Sequence, residues 1–170
     1  MHAVMDIICL VEWLKINCNI DSEKVAIMGG SYGGFLTLAA ISHYPQYWSA
    51  AVSIVGISSL KAFLKTTSPW RRKLREAEYG TIEEDEEFFD YIDPIHRTDR
   101  IISPLMVIHG ANDPRVPIEQ SEEIVDKLKA QNHPIEYTRL EDEGHSITNH
   151  KNRLTTYSAI ANFLELNLGN

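Results

Sequence analysis

The hydrophobic residues of the chain follow two different spacings. In residues 1–16 apolar positions recur every three or four residues, at Val4, Ile8 and Val11 among others, which is typical of an amphipathic helix. Elsewhere short continuous apolar runs, such as PLMVIH at Pro104–His109, lie between glycine, proline and polar residues and indicate buried strands. The two patterns alternate along the chain, which predicts an α/β fold with a parallel sheet and helices on both of its faces.

The pattern predicts an opening helix and then repeats of strand and helix. Thr81-Ile-Glu-Glu84 has the form of a capping box, which predicts a helix from there to about Tyr91 with acidic residues in its first turn. Ser58–Tyr79 has no clear periodicity and is expected to be an irregular segment that crosses the active face. The other predicted elements are a helix at 1–16, strands at Lys24–Met28, Ala50–Val55, Pro104–His109 and Ile135–Leu140, and helices at Tyr32–His43, Ile118–Ala130 and Arg153–Leu166.

The composition is that of a single globular domain. The chain has 170 residues, of which 44% are apolar, enough for one core that spans residues 1–170. Its formal net charge is −8, which argues against a nucleic-acid partner because such binding relies on basic patches. The one basic cluster, at residues 71–75, is interpreted as a solvated helix face or the rim of a substrate site. No apolar run approaches the roughly 20 residues of a membrane span, so no membrane partner is expected.

Two further features concern the location of the protein. Cys9 and Cys18 match no metal-binding or disulfide spacing, and both are expected to be buried or half-buried thiols. The first residues have no basic leading region, and Asp6 and Glu12 interrupt their apolar run, so a signal peptide is not expected. Together these observations favour a reducing, cytoplasmic location.

A turn rich in glycine joins the first predicted strand to the second helix. The stretch VAIMGGSYGGF sets four glycines around Ser31, which suits a nucleotide-phosphate loop, a nucleophile turn or close packing without chemistry. A dinucleotide-binding GxGxxG fails because Ser31 stands where a frame starting at Gly29 needs its second glycine, and a Walker loop fails because no lysine follows Gly34. What fits is GxSxG between a strand and a helix, the pattern of a nucleophile elbow that exposes the serine oxygen at a helix N-terminus.

A nucleophilic serine needs a basic histidine and an acid that orients the histidine. In this kind of fold the acid and then the histidine follow the serine, in loops at the carboxyl ends of later strands. Asp113 lies just past the third predicted strand and His145 just past the fourth, so Ser31, Asp113 and His145 occur in the required order. Taken alone, Asp113 could be a turn residue and His145 a surface histidine. The competing acids are Glu141, Asp142 and Glu143, and the competing bases are His43, His109 and His150, of which His109 is expected to be structural.

Three segments, GGSYGGF, HGANDPRVP and DEGH, together resemble the catalytic domain of the prolyl oligopeptidase family of serine peptidases. The likeness extends over essentially all of the chain and is nearest to acylaminoacyl-peptidase and dipeptidyl-aminopeptidase-like members. It implies an α/β-hydrolase fold and the cleavage of short peptides through an acyl-enzyme. It also implies that Ser31 is the nucleophile, Asp113 the acid and His145 the base, with no cofactor and no metal.

The resemblance further implies roles in binding the substrate. The backbone N–H of Tyr32 is one expected oxyanion donor. Arg115 matches an arginine that holds a substrate backbone carbonyl in many members, with a surface salt bridge as the alternative, and Val116 is expected to line the pocket for the residue before the scissile bond. Trp70 and Tyr79 are candidates for the rim of that pocket or for packing alone.

The sequence also departs from the family pattern. The β-propeller and the first strands of the hydrolase sheet, with the loop that carries the second oxyanion donor, have no counterpart in these 170 residues. The outer edge of the strand Lys24–Met28 should then be unpaired and apolar, which predicts a homo-oligomer or a complementing chain at that edge. The peptidase interpretation therefore has two alternatives: a weakly active or inactive fragment that self-associates through this edge, and a carboxylic-ester hydrolase.

Overall fold

The computed structural model describes residues 2–169, which form one four-stranded sheet and seven α-helices. The strands are β1 (Ala26–Gly30), β2 (Ala50–Ile54), β3 (Leu105–Gly110) and β4 (Ile135–Leu140). The helices are α1 (His2–Asn17), α2 (Tyr32–His43), α3 (Leu60–Thr66), α4 (Pro69–Tyr79), α5 (Glu86–Ile92), α6 (Glu119–Ala130) and α7 (His150–Leu168). None of the helices within the described range is long and apolar enough to cross a membrane.

All four strands run parallel and lie side by side in chain order, β1-β2-β3-β4. Successive residues of β3 face opposite sides of the sheet: Leu105 and Val107 join the core formed with α1, α2 and α6, while Met106 and Ile108 pack with Ile160 of α7. The predicted parallel sheet with helices on both faces is therefore confirmed. Because the strands are parallel, the loops that follow them meet at one edge of the sheet, where ligands bind in folds of this class.

The expectation of an irregular segment at Ser58–Tyr79 is wrong, because this stretch forms α3 and α4. Ser59 caps α3: its hydroxyl oxygen accepts a hydrogen bond from the N–H of Ala62 at 3.0 Å. Pro69 occupies the first turn of α4, where its missing N–H costs nothing. Sequence analysis missed these helices because α3 has only seven residues and α4 consists mostly of charged residues and buries none of its residues fully.

The helix expected to start at Thr81 begins instead at Glu86. Thr81 and its neighbours form a turn, in which the Asp85 carboxylate accepts from the N–H of Thr81 at 2.8 Å. Glu86 and Glu87 still occupy the first helical turn, where the helix dipole favours negative charge. The local acidic pattern therefore located the helix but not its first residue.

The last helix begins three residues before the predicted Arg153. The side chain of Asn149 caps α7 by accepting from the N–H of Lys151 at 2.9 Å, so the helix starts at His150. This start brings α7 directly against the loop that carries His145. Both ends of this loop are consequently fixed, by β4 before it and by the α7 cap after it.

The first two strands differ from their predicted bounds at their carboxyl ends. β1 extends beyond Met28, because the glycines continue the ladder with Gly29 opposite Ser53. β2 ends one residue early, because the backbone of Val55 turns into the left-handed region with φ 45°. Both strand ends lie directly under the turn that carries Ser31.

The outer edge of β1 is unpaired among the described residues, as predicted. Met28 on this strand is 53% exposed. Elsewhere α1 presents Leu10, Trp13 and Ile16 with at least 55% of each side chain exposed. Sequence periodicity placed the buried stripe of α1 correctly but gave no indication that its opposite side is also apolar. Cys9 and Cys18 are both exposed, so the expectation that they are buried or half-buried thiols is wrong.

Candidate active site

Ser31 lies in a sharp turn between β1 and α2. Its backbone has φ 57° and ψ −118°, a conformation that a residue with a side chain rarely adopts. The turn is fixed from both sides, because the Ser31 N–H donates to the carbonyl of Ile54 at 2.9 Å and the Ser31 carbonyl accepts from Phe35 at 3.1 Å. The strand-turn-helix geometry of the predicted GxSxG motif is therefore present, with the serine at the carboxyl end of β1.

Two of the glycines around Ser31 allow backbone segments to come together. A Cβ on Gly29 would overlap the carbonyl group of Gly33 in the first turn of α2, so only glycine lets the strand and helix meet here. A Cβ on Gly34 would lie 2.6 Å from the Cα of Gly56 in the loop after β2. These contacts hold α2 close to the sheet, and this packing fixes the direction of the serine side chain.

The structure brings Ser31, His145 and Asp113 into one hydrogen-bonded chain. His145 Nε2 lies 3.0 Å from Ser31 Oγ, and His145 Nδ1 lies 2.7 Å from Asp113 Oδ2. An ionised carboxylate only accepts hydrogen bonds, so Nδ1 carries the proton and Nε2 is left to accept from the serine hydroxyl. The three residues follow β1, β4 and β3, and they meet because parallel strands end at the same edge.

Asp113 is buried and fully hydrogen-bonded. Its Oδ1 accepts from the backbone N–H groups of Arg115 at 2.8 Å and Val116 at 3.0 Å, while its Oδ2 faces His145. Burial alone raises the pKa of this carboxyl, but hydrogen bonds from His109, His145 and the two N–H groups outweigh it and hold the pKa well below its usual range. Asp113 therefore stays ionised across the physiological pH range.

His109, at the carboxyl end of β3, is a second imidazole beside this carboxylate. Its ring is completely buried, with Nε2 3.0 Å from the carbonyl of Val116 and 3.4 Å from Asp113 Oδ2. Its Nδ1 lies 2.7 Å from Ser121 Oγ on α6. His109 thus ties the loop of Asp113 to β3 and α6, which agrees with the structural role expected for it.

Glu143 fixes the loop that carries His145. Its carboxylate accepts from the N–H of Thr148 at 2.9 Å and of Asn149 at 2.8 Å, and from the side chain of Asn152 at 2.9 Å. Hydrogen bonds from Thr148, Asn152 and Asn149 lower the pKa of Glu143 to about 2. Glu143 therefore caps α7 and does not compete with Asp113 for the acid position, since it is turned away from His145 toward the helix.

A small cavity of about 60 Å³ opens beside Ser31 and His145. Its wall includes the predicted Arg115 and Val116, together with Ile57, Phe63 and Tyr79. The Tyr32 ring also lines the cavity and stacks on that of Tyr79 with centroids 5.4 Å apart. The cavity is thus lined by both apolar and polar residues, and two arginines, Arg75 and Arg115, are part of its wall.

The structure distinguishes between Trp70 and Tyr79, the two residues expected either at this rim or in packing alone. Tyr79 lines the cavity, whereas Trp70 is 73% exposed and does not. Sequence reasoning missed Phe63, because it lies in the stretch expected to be irregular. Arg75 also lines the cavity and belongs to the basic cluster at residues 71–75, for which the rim of a substrate site was one of the two interpretations. The cap at Ser59 was the local signal that could have indicated α3 and hence the direction of Phe63.

Two other histidines that compete for the role of the base lie outside this cluster. His43 is buried at the end of α2, against the ring of Tyr91 at a centroid distance of 5.1 Å. Burial, with a smaller contribution from the Arg97 charge, lowers the pKa of His43 to about 4. His150 is the exposed first residue of α7. Neither has a hydrogen bond to Ser31 or Asp113.

A parallel sheet with a serine at the turn between a strand and a helix, and an acid and a histidine after later strands, is the arrangement of an α/β-hydrolase. The chain belongs to the prolyl oligopeptidase family, whose sequence pattern matches residues 2–170. It is thereby a member of a family of serine peptidases, as its resemblance to that family had implied.

Two curated relatives and one solved structure illustrate the match. The chain is 34% identical over 175 residues to dipeptidyl peptidase family member 6 of Caenorhabditis elegans, covering 99% of this chain and 23% of that protein. It is 34% identical over 169 residues to dipeptidyl aminopeptidase BIII of Pseudoxanthomonas mexicana, and the match covers 96% of this chain and 24% of that protein. It superimposes on a puromycin-hydrolyzing peptidase of Mycobacterium tuberculosis with a TM-score of 0.92 and 31% identity. This superposition covers 98% of this chain and 25% of that peptidase. The chain therefore spans about a quarter of the length of these relatives.

Proposed function

We propose that this chain carries the catalytic residues of a serine-type peptidase that hydrolyses short peptides. The observation that supports this most directly is the hydrogen-bonded chain from Ser31 Oγ through His145 to Asp113. The dipeptidyl peptidase and dipeptidyl aminopeptidase relatives support peptide bonds as the target. In this proposal Ser31 is the nucleophile, His145 the general base and Asp113 the acid that orients it.

The proposed reaction has two steps. Ser31 Oγ attacks the scissile carbonyl while His145 Nε2 takes its proton, and collapse of the tetrahedral adduct breaks the C–N bond as His145 returns the proton to the leaving amine. Water then attacks the acyl-enzyme ester while His145 takes one of its protons. Collapse of this second adduct breaks the bond to Ser31 Oγ, and His145 returns the proton to that oxygen as the acid leaves. Asp113 stabilises the positive charge that develops on His145 in both steps.

The N-terminus of α2 supplies stabilisation for the oxyanion. Tyr32 is the first residue of this helix, so its N–H has no intrahelical acceptor and remains available to a developing negative charge. The helix dipole acts in the same direction. In this proposal the side chain of the residue before the scissile bond enters the cavity beside Val116, and Arg115 binds a backbone carbonyl of the substrate.

Labelling with a fluorophosphonate tests this proposal. The probe reacts only with an activated serine, and intact mass should show a single adduct on the wild-type chain. Ser31→Ala and His145→Ala should show none. Ser146→Ala, next to His145 and outside the cluster, is the matched control and should label like the wild type. A folded wild-type chain that forms no adduct, or an adduct that persists in Ser31→Ala, would contradict the proposal.

Ester hydrolysis is the second candidate, because a serine activated by the same histidine and acid also attacks esters, which react more readily than amides. An activated ester and a dipeptide anilide with the same acyl group separate the two. Turnover of both supports the peptidase, since an ester is the less demanding substrate. Turnover of the ester alone supports a carboxylic-ester hydrolase.

A third candidate is a weakly active or inactive unit that acts through the outer edge of β1. Its support is the unpaired edge of this strand and the exposed apolar side chains of Met28 on β1 and of Leu10 and Trp13 on α1. In this proposal a second copy of the chain, or a complementing chain, pairs with β1. Measurements of oligomeric state and of fluorophosphonate labelling distinguish this candidate from the peptidase.

A further inference from the structure

A second small cavity of about 60 Å³ adjoins the one that contains Ser31 and His145. The two cavities share three lining residues, Phe63, Arg75 and Arg115, which form the wall between them. The second cavity is bounded by the end of α3, the first half of α4 and the loop after β3. Of its lining residues, only Arg115 has a role in the function proposed above.

Three arginines line this second cavity and no acidic residue does. Arg71 and Arg75 come from successive turns of α4, and Arg115 comes from the loop after β3. The hydroxyl of Ser68 also lines it and makes no cap hydrogen bond of its own. The polar side chains that line the cavity are therefore three guanidinium groups and three hydroxyl groups, and Phe63 lies beside them.

The charges in this cavity are largely uncompensated. Among residues 2–169, no carboxylate lies within ion-pair distance of Arg71 or Arg115. Arg75 has only Glu78, at 3.6 Å, and that side chain is 65% exposed. An ion pair of this kind neutralises little charge in water. Arg72 shows the contrast, because it binds both Glu76 at 2.6 Å and Glu83 at 3.1 Å.

Such a cluster is unusual on this protein. The chain has a formal net charge of −8 and 24 acidic residues, yet none of them lines this cavity. Guanidinium groups gathered without counter-charges repel one another, and this repulsion disfavours the folded state. A bound anion removes the repulsion and gains charge-assisted hydrogen bonds, so the arrangement favours an anionic ligand.

We propose that Arg71, Arg75 and Arg115 form a subsite for a carboxylate carried by the peptide substrate within one residue of the scissile bond. The wall shared with the first cavity places the subsite next to the reacting carbonyl. A carboxylate is small enough for the cavity, and the planar fork of arginine matches its two oxygens. This inference rests on the proposed function in that it takes the ligand to be part of the substrate.

Binding to the 170-residue chain with Ser31→Ala tests the subsite without turnover. Isothermal titration calorimetry compares acetyl-Glu-Ala-amide with acetyl-Gln-Ala-amide, and acetyl-Ala-Glu-amide with acetyl-Ala-Gln-amide. At low ionic strength the acidic member of at least one pair should bind about tenfold more tightly than its amide, and the ratio should fall as salt is added. Equal binding of acid and amide in both pairs, or no binding of any of the four, overturns the subsite.

Variants of one helix show whether the arginines are responsible. Arg71→Gln, made in the Ser31→Ala chain, should reduce the ratio of acid to amide affinity to about two or less. Arg72→Gln removes the same charge from the neighbouring position outside the cavity and should leave the ratio unchanged. Thermal unfolding adds a separate readout: Arg71→Gln should unfold no earlier than its parent, because it removes repulsion and no ion pair. A ratio that survives in Arg71→Gln, or falls equally in Arg72→Gln, contradicts the assignment.

The subsite and the proposed function fail in distinguishable ways. Fluorophosphonate labelling of the wild-type chain reports on the activated serine alone. Labelling without any preference for the acidic peptides overturns the subsite and leaves the peptidase proposal intact. A preference for the acidic peptides without labelling overturns the peptidase proposal and leaves a carboxylate-binding cavity beside an unreactive serine.

Discussion

At the scale of single residues, Asp113 shows how one side chain takes on two tasks. One carboxylate oxygen fixes its own loop through the N–H groups of Arg115 and Val116, and the other faces His145. Sequence order brought Asp113 into consideration, but Glu141, Asp142 and Glu143, in the loop that carries His145, were competing acids. What distinguishes Asp113 from them is its 2.7 Å contact with His145, which lies 32 residues further along the chain.

Asp113→Asn should lower the rate of fluorophosphonate labelling by about 10³–10⁴-fold while the chain stays folded. The amide oxygen can still accept from Arg115 and Val116, so the loop keeps its shape. The amide NH₂ then faces His145 Nδ1 and favours the tautomer with the proton on Nε2, which cannot accept from Ser31. The labelling rate and the far-UV circular dichroism of the variant check this.

Asp142→Asn is the matched control for this variant. Asp142 accepts hydrogen bonds from Asn149 at 3.2 Å and from Asn152 at 2.7 Å, and it has no hydrogen bond to His145. The labelling rate of the Asp142→Asn variant should therefore match that of the wild type. If Asp113→Asn labelled at the wild-type rate, Asp113 would not be the orienting acid.

At the scale of elements, the turn that carries Ser31 depends on glycines with different roles. The GxSxG pattern treats the glycines on either side of the serine alike. In the structure a Cβ on Gly29 overlaps backbone, whereas a Cβ on Gly33 meets no atom within 4 Å. Only the packing of α2 on β1 makes this difference visible.

Gly29→Ala should lower the free energy of unfolding by about 1–3 kcal/mol, because the new methyl group forces β1 and α2 apart. Gly33→Ala is its matched control. It should leave the free energy of unfolding unchanged or raise it by up to about 1 kcal/mol, because alanine favours a helix over glycine. Urea denaturation of the two variants measures both effects, and an equal loss of stability in the two would contradict the packing argument.

The cap that Glu143 forms on α7 should make stability depend on pH. The folded-state pKa of Glu143 is about 2, and that of a glutamate in an unfolded chain is roughly 4.3. Its contribution to stability is therefore full above pH 4.3 and decreases as the pH falls toward 2. The free energy of unfolding of the wild type should exceed that of Glu143→Gln at pH 7, and this difference should shrink between about pH 4 and pH 2.

Urea denaturation at several pH values measures this difference directly. Glu136→Gln, at an exposed position of β4, is the control and should differ from the wild type by the same small amount at every pH. A difference between wild type and Glu143→Gln that stays constant from pH 7 to pH 2 would show that the carboxylate charge of Glu143 does not stabilise the cap.

At the scale of the whole molecule, the sheet has two unequal edges. β4 has an ion-paired arginine, with Arg139 bound to Glu122 at 2.8 Å and to Glu141 at 2.9 Å, and charges of this kind discourage pairing with another chain. The β1 edge has no such charge on the strand itself, and Met28 is exposed beside it. We therefore expect the association with another chain that the sequence predicts to occur at the β1 edge.

The chain should elute from size-exclusion chromatography as a dimer or larger species, with a proportion of monomer that rises on dilution. Met28→Lys should shift the equilibrium to monomer, because a lysine on an edge strand must lose its hydration to pair. Leu154→Lys places the same charge at an exposed apolar position of α7, 59% exposed, and should not change the elution. A wild-type monomer at every concentration would contradict the association.

The sequence by itself determined the class of fold, because the spacing of apolar residues and the glycine turn are local properties of the chain. It also determined the order Ser31, Asp113 and His145, since parallel strands place the loops that follow them at one edge. Tertiary structure alone decided which side chains meet there. Ser31 and His145 are 114 residues apart, and no local pattern specifies their 3.0 Å contact.

The region between β2 and α5 shows most clearly that a local sequence pattern does not specify which side chains meet. Local signals at Ser59 and Pro69 were present, but α3 is short and α4 buries no residue fully, so periodicity did not reveal them. Only the folded chain brings Phe63 and Arg75 against Arg115 and joins the two cavities. Hydrophobic periodicity records which residues face the core, whereas a cavity depends on which separate elements meet at the surface, and that is decided by packing.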